Sequence, residues 1–298
     1  MTTRESVQTS IDQLAGDANG IFARQSRLSA PLLGSGRRVV EDSYAGAYAS
    51  GPGAAGGVFG RLNAGKLSLL GGLAYAEEEG GRAELRESLT VAAALRYIHD
   101  GGGAIRPFAE LGAWKARDTS LRLSRGYTNG AGTAEGVGDT RGDISYYYVR
   151  AGVAIAGRSS ELALSGEIGR SRLDLEGYLE TLSATNPFEA TVAARSERMT
   201  VYRLRGQYSH SFAPGLDGTL WASAVWGRHG SGSGIAAAVP GVGILAAFPE
   251  DPAWAEFGAR VGYDITRQFR VEAFADFSTG EDEVGRGGHG GLALITRF

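Results

Sequence analysis

The stretch Ala253–Asp264, "AWAEFGARVGYD", decides how this chain folds. One row reads Ala253, Ala255, Phe257, Ala259, Val261 and Tyr263, while the interleaved row reads Trp254, Glu256, Gly258, Arg260, Gly262 and Asp264. A period of two marks a strand whose faces meet different surroundings, because successive side chains point to opposite sides of a sheet. In a soluble sandwich the apolar row faces a packed core and the charged row faces water. In a membrane barrel the assignment inverts, with lipid outside and a polar lumen inside.

The same period runs from Val39 to the end of the chain. It predicts strands near 39–50, 54–63, 66–78, 84–99, 104–117, 143–157, 161–175, 199–212, 217–229, 253–266, 269–279 and 289–298. That makes twelve, and closed bacterial barrels have even strand numbers. Outward rows are then Leu67, Leu69, Leu73, Tyr75; Leu89, Val91, Ala93, Leu95, Tyr97; Tyr147, Val149, Ala151, Val153, Ile155; Leu162, Leu164, Ile168; Tyr202, Leu204, Tyr208; and Leu292, Leu294, Phe298. Inward rows hold Arg96, Arg106, Glu110, Arg150, Glu167, Arg203, Arg205, Gln207, Glu256, Arg260, Arg270, Glu272 and Asp276.

The connections alternate in length. "AG" near Ala64, "DGGG" at Asp100–Gly103, "RSS" at Arg158–Ser160, "APGLD" at Ala213–Asp217 and "TRQ" at Thr266–Gln268 are tight. Between them lie "DTSLRLSRGYTNGAGTAEGVGDTRG", "LEGYLETLSATNPFEATVAARSER" and "GSGSGIAAAVPGVGILAAFPED", read as long loops. Short turns on one rim and long loops on the other characterise an outer-membrane barrel. On this reading Tyr75, Tyr147 and Phe277 fall near the long-loop rim and Tyr97, Tyr263 and Phe298 near the other, as two interfacial belts. A soluble antiparallel barrel or sandwich is the alternative, but it would sort its loops onto one side only by chance.

Composition bounds the function class. Glycine supplies 47 of 298 residues, more than twice its usual share of about 7%. A formal charge of −3 and a pI near 5.9 leave no basic footprint for nucleic acid. Only Lys66 and Lys115 among 30 basic residues are lysines, which suits bidentate pairing with carboxylates, although a GC-rich gene gives the same bias. There is no cysteine, hence neither a disulfide framework nor a thiolate metal site. The opening "MTTRESVQTS" lacks the pattern of a signal peptide, so an export signal is expected to have been removed. No apolar run reaches the roughly 18 residues of a membrane helix, which leaves a β-barrel open.

Residues 1–38 differ from the rest. Val7, Ile11, Leu14, Ala18, Ile21 and Leu28 recur at steps of three and four, or their sum, as on an amphipathic helix, with Asp12, Asp17, Arg24 and Arg27 between them. Gly16 and Gly20 each weaken it by about 1 kcal/mol relative to Ala, so the helix needs surroundings to hold it. "APLLGSGRR" reads as its stop.

The C-terminal third, "AWAEFGARVGYDITRQFRVEAFADFSTGEDEVGRGGHGGLALITRF", resembles the translocator β-domain of autotransporters, the type V secretion proteins. The strand Phe257–Tyr263, the turn Thr266–Gln268, the strand Val271–Phe277, His289 in a Gly-rich loop and the ending Leu292–Phe298 follow that family's order. "IRPFAELGAW", Ile105–Trp114, resembles its mid-barrel strand, and the likeness spans 39–298. It implies that Leu292, Leu294 and Phe298, with the small Ala293, serve as the barrel-insertion signal read by the barrel-assembly machinery. Thr296 departs from the family, where an aromatic is usual, as does Ile295, often basic. A Phe298 that merely anchors the membrane interface predicts the same residue.

The resemblance further implies that 1–38 is a helical linker threading the pore of a barrel at 39–298. The expected architecture is therefore an all-β, twelve-stranded antiparallel transmembrane β-barrel with an N-terminal α-helix in the lumen. Arg24 and Arg27 are expected to pair with lumenal carboxylates such as Glu110, Glu167 or Glu256. A flexible linker outside the barrel is the alternative.

Catalytic chemistry has little footing. His99, His210, His229 and His289 show no zinc-ligand spacing, and Ser211 beside His210 has opposite parity, so the two cannot pair within one strand. Some autotransporters cut their linker through an asparagine; here Asn19-Gly20 in "DANGI" is a single Asn preceded by Ala18, and a helix bend at Gly20 is the plainer reading. The apolar segment "SGSGIAAAVPGVGILAAFPEDP" suggests a surface for lipid, partner or passenger, or a cover over the pore mouth.

The function implied is an outer-membrane translocator that anchors and exports an N-terminal passenger. It is not an enzyme and takes no cofactor or metal. Its partners are outer-membrane lipid, a covalent upstream passenger and the barrel-assembly machinery, without nucleic acid, and it is a monomer. A free-standing porin or adhesin and a barrel hydrolase are the competing functions.

Overall fold

The computed structural model describes residues 2–78, 81–99, 101–182, 186–280 and 284–298. Sixteen strands follow an N-terminal helix: β1 (Tyr44–Gly51), β2 (Ala54–Ala64), β3 (Leu67–Glu78), β4 (Ala83–Ile98), β5 (Ile105–Asn129), β6 (Gly132–Ala156), β7 (Ser160–Leu175), β8 (Tyr178–Leu179), β9 (Thr191–Val192), β10 (Arg195–Ala213), β11 (Leu216–His229), β12 (Ile235–Val239), β13 (Gly243–Ala247), β14 (Ala253–Asp264), β15 (Phe269–Gly280) and β16 (Arg286–Arg297). Twelve of them close an antiparallel barrel in the order β1-β16-β15-β14-β11-β10-β7-β6-β5-β4-β3-β2. The ring closes where β1 meets β16, from Tyr44↔Arg297 to Gly51↔Gly290. Closure leaves no barrel edge with unpaired backbone groups, the condition for crossing hydrocarbon. Among the described residues no helix is long and apolar enough to cross a membrane.

The two faces of the wall are as the period of two requires. In β14, Phe257, Val261 and Tyr263 are exposed while Trp254, Glu256 and Arg260 are buried. Leu164 and Leu204 are 50% and 60% exposed, whereas Arg96, Glu110, Glu167, Arg203, Arg260, Glu272 and Asp276 lie buried inside. Apolar side chains outside and ionic ones inside identify a transmembrane barrel of the outer-membrane type, and exclude the soluble sandwich.

Three segments depart from the sequence reading. The first strand begins at Tyr44 rather than Val39, because the backbone N–H groups of Val39 and Val40 donate to the Glu161 carboxylate (2.7 and 3.3 Å) instead of to a neighbouring strand. The segment 118–142, expected as a loop, continues β5 and β6, which pair from Ile105↔Ile155 to Asn129↔Gly132 with a break in register between Ala116 and Thr119. Above that break Leu121, Leu123 and Tyr127 turn inward and Arg122 outward. Likewise 230–252 contains the hairpin β12–β13, which joins β9 and β8 in a four-stranded sheet over the same end of the barrel. Of the short turns, Asp100 lies outside the described residues; of the long loops, Ser183–Thr185 do.

Helix α1 (Thr3–Ser29) runs unbroken through Gly16 and Gly20. Its N-terminus is closed by a capping box in which Thr2 Oγ1 accepts from Glu5 N–H (3.3 Å) and Thr2 N–H donates to Glu5 Oε2 (2.7 Å). A 3-10 turn over Ala30–Leu33 ends it, and Gly34 (φ 68°) and Gly36 (φ 72°) then take left-handed conformations under Leu70 and Arg260, where a β-carbon would strain the backbone. At about 1.5 Å per residue α1 is roughly 40 Å long, longer than the roughly 30 Å hydrocarbon core.

Candidate functional site

The lumen is the candidate site, and α1 fills it. Val7, Ile11, Leu14, Ala18, Ile21 and Leu28 are all buried, and so are the intervening Ser10, Asp17, Gln25, Ser26 and Arg27. A helix apolar on one face and yet buried nearly all round must find polar partners for its other face. The wall supplies them.

The upper half of α1 stands above the rim, held by the extended strands and the small sheet. Arg125 donates through Nε and Nη2 to Glu180 (2.6 and 2.8 Å) and through Nη1 to Ser10 Oγ (2.9 Å), while Ser6 Oγ accepts from Thr128 N–H (2.7 Å). Lower down, Asn19 Nδ2 donates to Glu250 O (3.1 Å), its Oδ1 lies 2.8 Å from His229 Nε2, and Arg82 pairs with Asp17 (3.2 Å).

At the rim Arg27 bridges Glu78 (2.8 Å) and Ser278 Oγ (2.7 Å), and Arg24 also reaches Glu78 (3.4 Å). On the turn above it Phe22 sits among Trp114, Tyr146 and Trp254, with ring centroids 5.9, 5.3 and 6.2 Å away. Gln25 is held from both ends, donating to Thr90 Oγ1 (2.5 Å) and accepting from Ser88 Oγ (3.1 Å). Toward the short-turn end Arg37 forms a bidentate pair with Glu272 (2.9 and 2.5 Å), Arg205 donates to Ser35 Oγ (2.7 Å), and Gln207 donates to Arg37 O (2.7 Å). At mid-barrel one cavity beside the helix holds about 40 Å³, lined by Ser26, Arg27, Tyr148, Arg203 and Arg205, and wider spaces of about 520 and 370 Å³ adjoin the plug toward the two ends.

Arg24 and Arg27 therefore touch the lumen wall through Glu78, and the expected partners Glu110, Glu167 and Glu256 are corrected. Those three carboxylates belong to the wall itself. Register places Arg96 opposite Glu110, Glu110 opposite Arg150, Arg150 opposite Glu167 and Glu167 opposite Arg203. The result is a band of alternating charge across five adjacent strands that reaches over to β14: Arg96–Glu110 2.6 Å, Arg150–Glu110 3.3 Å, Arg150–Glu167 2.6 Å, then Arg203 on Glu167 and on Glu256 at 3.1 Å. Tyr148 and Tyr146 donate to Glu110 (2.7 Å) and Glu167 (2.8 Å), and Trp254 to Glu256 (3.0 Å). Among the described residues the charged groups of the band reach the helix where Arg203 Nη2 donates to Ser26 Oγ (3.1 Å).

Sequence reading missed Glu78, Arg125, Glu180 and Phe22. Glu78 ends a strand at the rim, and Arg125 and Glu180 lie in segments read as loops. The signal available for Arg125 was the inward alternation Leu121, Leu123, Arg125, Tyr127.

Beneath the plug, Glu41 lies between helix and barrel, 4.0 Å from Arg37. Burial pushes its carboxyl above the usual value, and the Arg37 charge pulls the other way.

Leu292 and Leu294 face outward on β16 beside the closing seam, and Phe298 is 69% exposed at the short-turn rim. His210 stacks on Tyr208 and meets Phe212 edge-on, whereas Ser211 Oγ accepts from Arg38 (2.8 Å), so their opposite parity is retained. Among the described residues no group of three His, Asp or Glu is placed to hold a metal ion.

No protein-family model matches the chain, and no curated protein matches it. Among solved structures, the translocator domain of autotransporter NalP from Neisseria meningitidis superposes with a TM-score of 0.61 at 13% identity, over 97% of this chain and 99% of that one. The beta domain of the Bordetella autotransporter Brka gives 0.48 at 15% identity (86% and 99% covered), and the toluene transporter TbuX of Ralstonia pickettii gives 0.47 at 12% (87% and 90%). The first likeness is one of fold: this chain has the architecture of an autotransporter translocator barrel.

Proposed function

We propose that this chain is the outer-membrane translocator of an autotransporter, anchoring a passenger joined upstream of Thr2 and serving as the pore through which that passenger is exported. One observation carries the reading. The N-terminal segment runs through the barrel's own bore and emerges, at Thr3, on the side of the long strand extensions, so whatever precedes it is delivered to that face. A chain left lying in its pore is the arrangement expected after one-way passage. The fold shared with the NalP translocator supports it.

A free-standing porin requires an open lumen, whereas α1 occupies the bore and the mid-barrel cavity beside it, about 40 Å³, holds little more than a water molecule or two. The amide of Asn19, engaged by His229 and Glu250, acts in this reading as a peg of the plug. Leu292, Leu294 and Phe298 are the proposed insertion signal, since the two leucines line the outer face of β16 at its seam with β1 and Phe298 follows it at the rim.

The test is a protease-cleavable epitope fused upstream of Thr2 in a signal-bearing precursor. Intact cells should display the epitope and lose it to external protease. An inserted barrel whose epitope stays protected would overturn export while leaving the membrane fold standing.

A further inference from the structure

Just above the upper aromatic belt, the outer wall differs from one flank to the other. On the flank made by β6, β7, β10 and β11, each outward row passes from hydrocarbon-facing residues to an interfacial or polar one. These rows are Val149, Tyr147, Ser145 on β6; Leu164, Ile168, Arg170, Arg172 on β7; Leu204, Tyr202, Thr200, Arg198 on β10; and Ala224, Trp226, Arg228 on β11. Register aligns Tyr147, Arg170, Thr200 and Arg228 in one cross-strand row, and Ser145, Arg172 and Arg198 in the next. With strands about 4.8 Å apart and about 3.4 Å per residue, the four arginines lie within roughly 12 Å of one another.

All four are exposed. Asp174 pairs with Arg172 (2.7 Å), and Asp251 stands 4.0 Å from Arg228. Lys115, opposite Ser145, is held by Asp143 (2.6 Å). Among the described residues neither Arg170 nor Arg198 has a carboxylate at ion-pair distance. Arg172 and Arg198 moreover stand directly opposite each other, and like charges so placed repel. At the same height, among the described residues, the other flank carries Ala253 on β14, Thr279 on β15, Arg286 on β16, Glu77 on β3 and Glu87 on β4, a mixture of signs.

Tyr147, Tyr202 and Trp226 mark the boundary between hydrocarbon and headgroups. The arginines, two to four residues above the Tyr202–Trp226 row, therefore sit at headgroup depth, where guanidinium forks match phosphate oxygens and lipid phosphate is the anion at hand. We propose that Arg170, Arg172, Arg198 and Arg228 form a binding site for the phosphate of a lipid headgroup in the outward-facing leaflet, fixing one flank of the barrel to a phosphorylated lipid. The site rests on the membrane reading of the fold and is independent of export.

The test uses the full chain in neutral detergent, titrated with diphosphorylated lipid A, with its dephosphorylated form and with inorganic phosphate, bound lipid being read by native mass spectrometry. The phosphorylated lipid should bind saturably, and R170Q/R172Q/R198Q/R228Q should weaken it at least tenfold, while the opposite-flank variant E77Q leaves it unchanged. Resistance of the barrel to SDS at room temperature confirms that each variant is folded; if the fourfold variant fails this, the pair R170Q/R198Q replaces it and should lose severalfold. Equal binding of the dephosphorylated lipid, equal binding by folded arginine variants, or inorganic phosphate competing at equal concentration would each overturn the proposal.

Discussion

Strand β5 lives in two solvents. Below the break at Ala116–Thr119 its outward residues Leu111 and Ala113 face lipid and its inward Glu110 is ionic; above it the inward Leu121, Leu123 and Tyr127 pack on α1, and Arg122 points to water. One strand thus carries both polarities of the same period. Apolar side chains follow whatever excludes water, which is the bilayer at one height and the helix at the next. The plug is correspondingly held in two ways, by polar wall groups such as Glu78, Ser88, Thr90 and Arg203 within the barrel and by a small, largely hydrophobic cap above it.

The most damaging way to break this comparison is to remove the plug from both regions. Deleting residues 1–30 should take single-channel conductance from near zero to a steady open level, and unchanged conductance would show that α1 does not close the pore.

Arg203→Ala and Arg125→Ala sharpen it by cutting one anchor in each region. Loss of Arg203 leaves the buried Glu256 with no ion-pair partner among the described residues and Glu167 with Arg150 alone, and should cost the barrel about 3–5 kcal/mol in denaturant unfolding, as for a broken buried pair. Loss of Arg125 should leave barrel unfolding in place and speed amide exchange around Ser6–Ser10. Equal effects on both readouts would mean that barrel and cap unfold as one unit.

A smaller difference is expected from adding charge to the outside. Leu164→Arg, near mid-membrane, should cost about 2–4 kcal/mol, whereas Ser124→Arg, on the water-facing side of β5 above the break, should stay within about 0.5 kcal/mol. Similar costs at the two positions would place the membrane boundary elsewhere.

The smallest effect concerns Glu41, below both regions. Its folded-state pKa is raised, so its ionised form destabilises the fold: the cost is absent below the usual carboxylate range and grows as pH rises through the raised value. Glu41→Gln should therefore raise the melting temperature slightly at neutral pH and leave it unchanged in acid.

Much of this was legible in the residues. The alternation in Ala253–Asp264 and its relatives assigned the lipid and lumen faces, and the steps from Val7 to Leu28 placed the helix. The extension of β5 and β6 was missed because Leu121, Leu123 and Tyr127 carry the period with inside and outside exchanged, which looks like the end of a membrane strand. The partners of Arg24 and Arg27 were missed for a different reason. Glu110, Glu167 and Glu256 face the lumen as expected, but arginines on neighbouring strands or one strand beyond reach them before the helix can.

By itself the sequence determined which side of each strand meets hydrocarbon, because alternation is a local property of the backbone. Only the tertiary structure decided which charges neutralise one another and how high in the bore each helix residue sits. Those depend on register between strands and on the helix's depth, which are set by closure of the whole ring and packing of the plug against it.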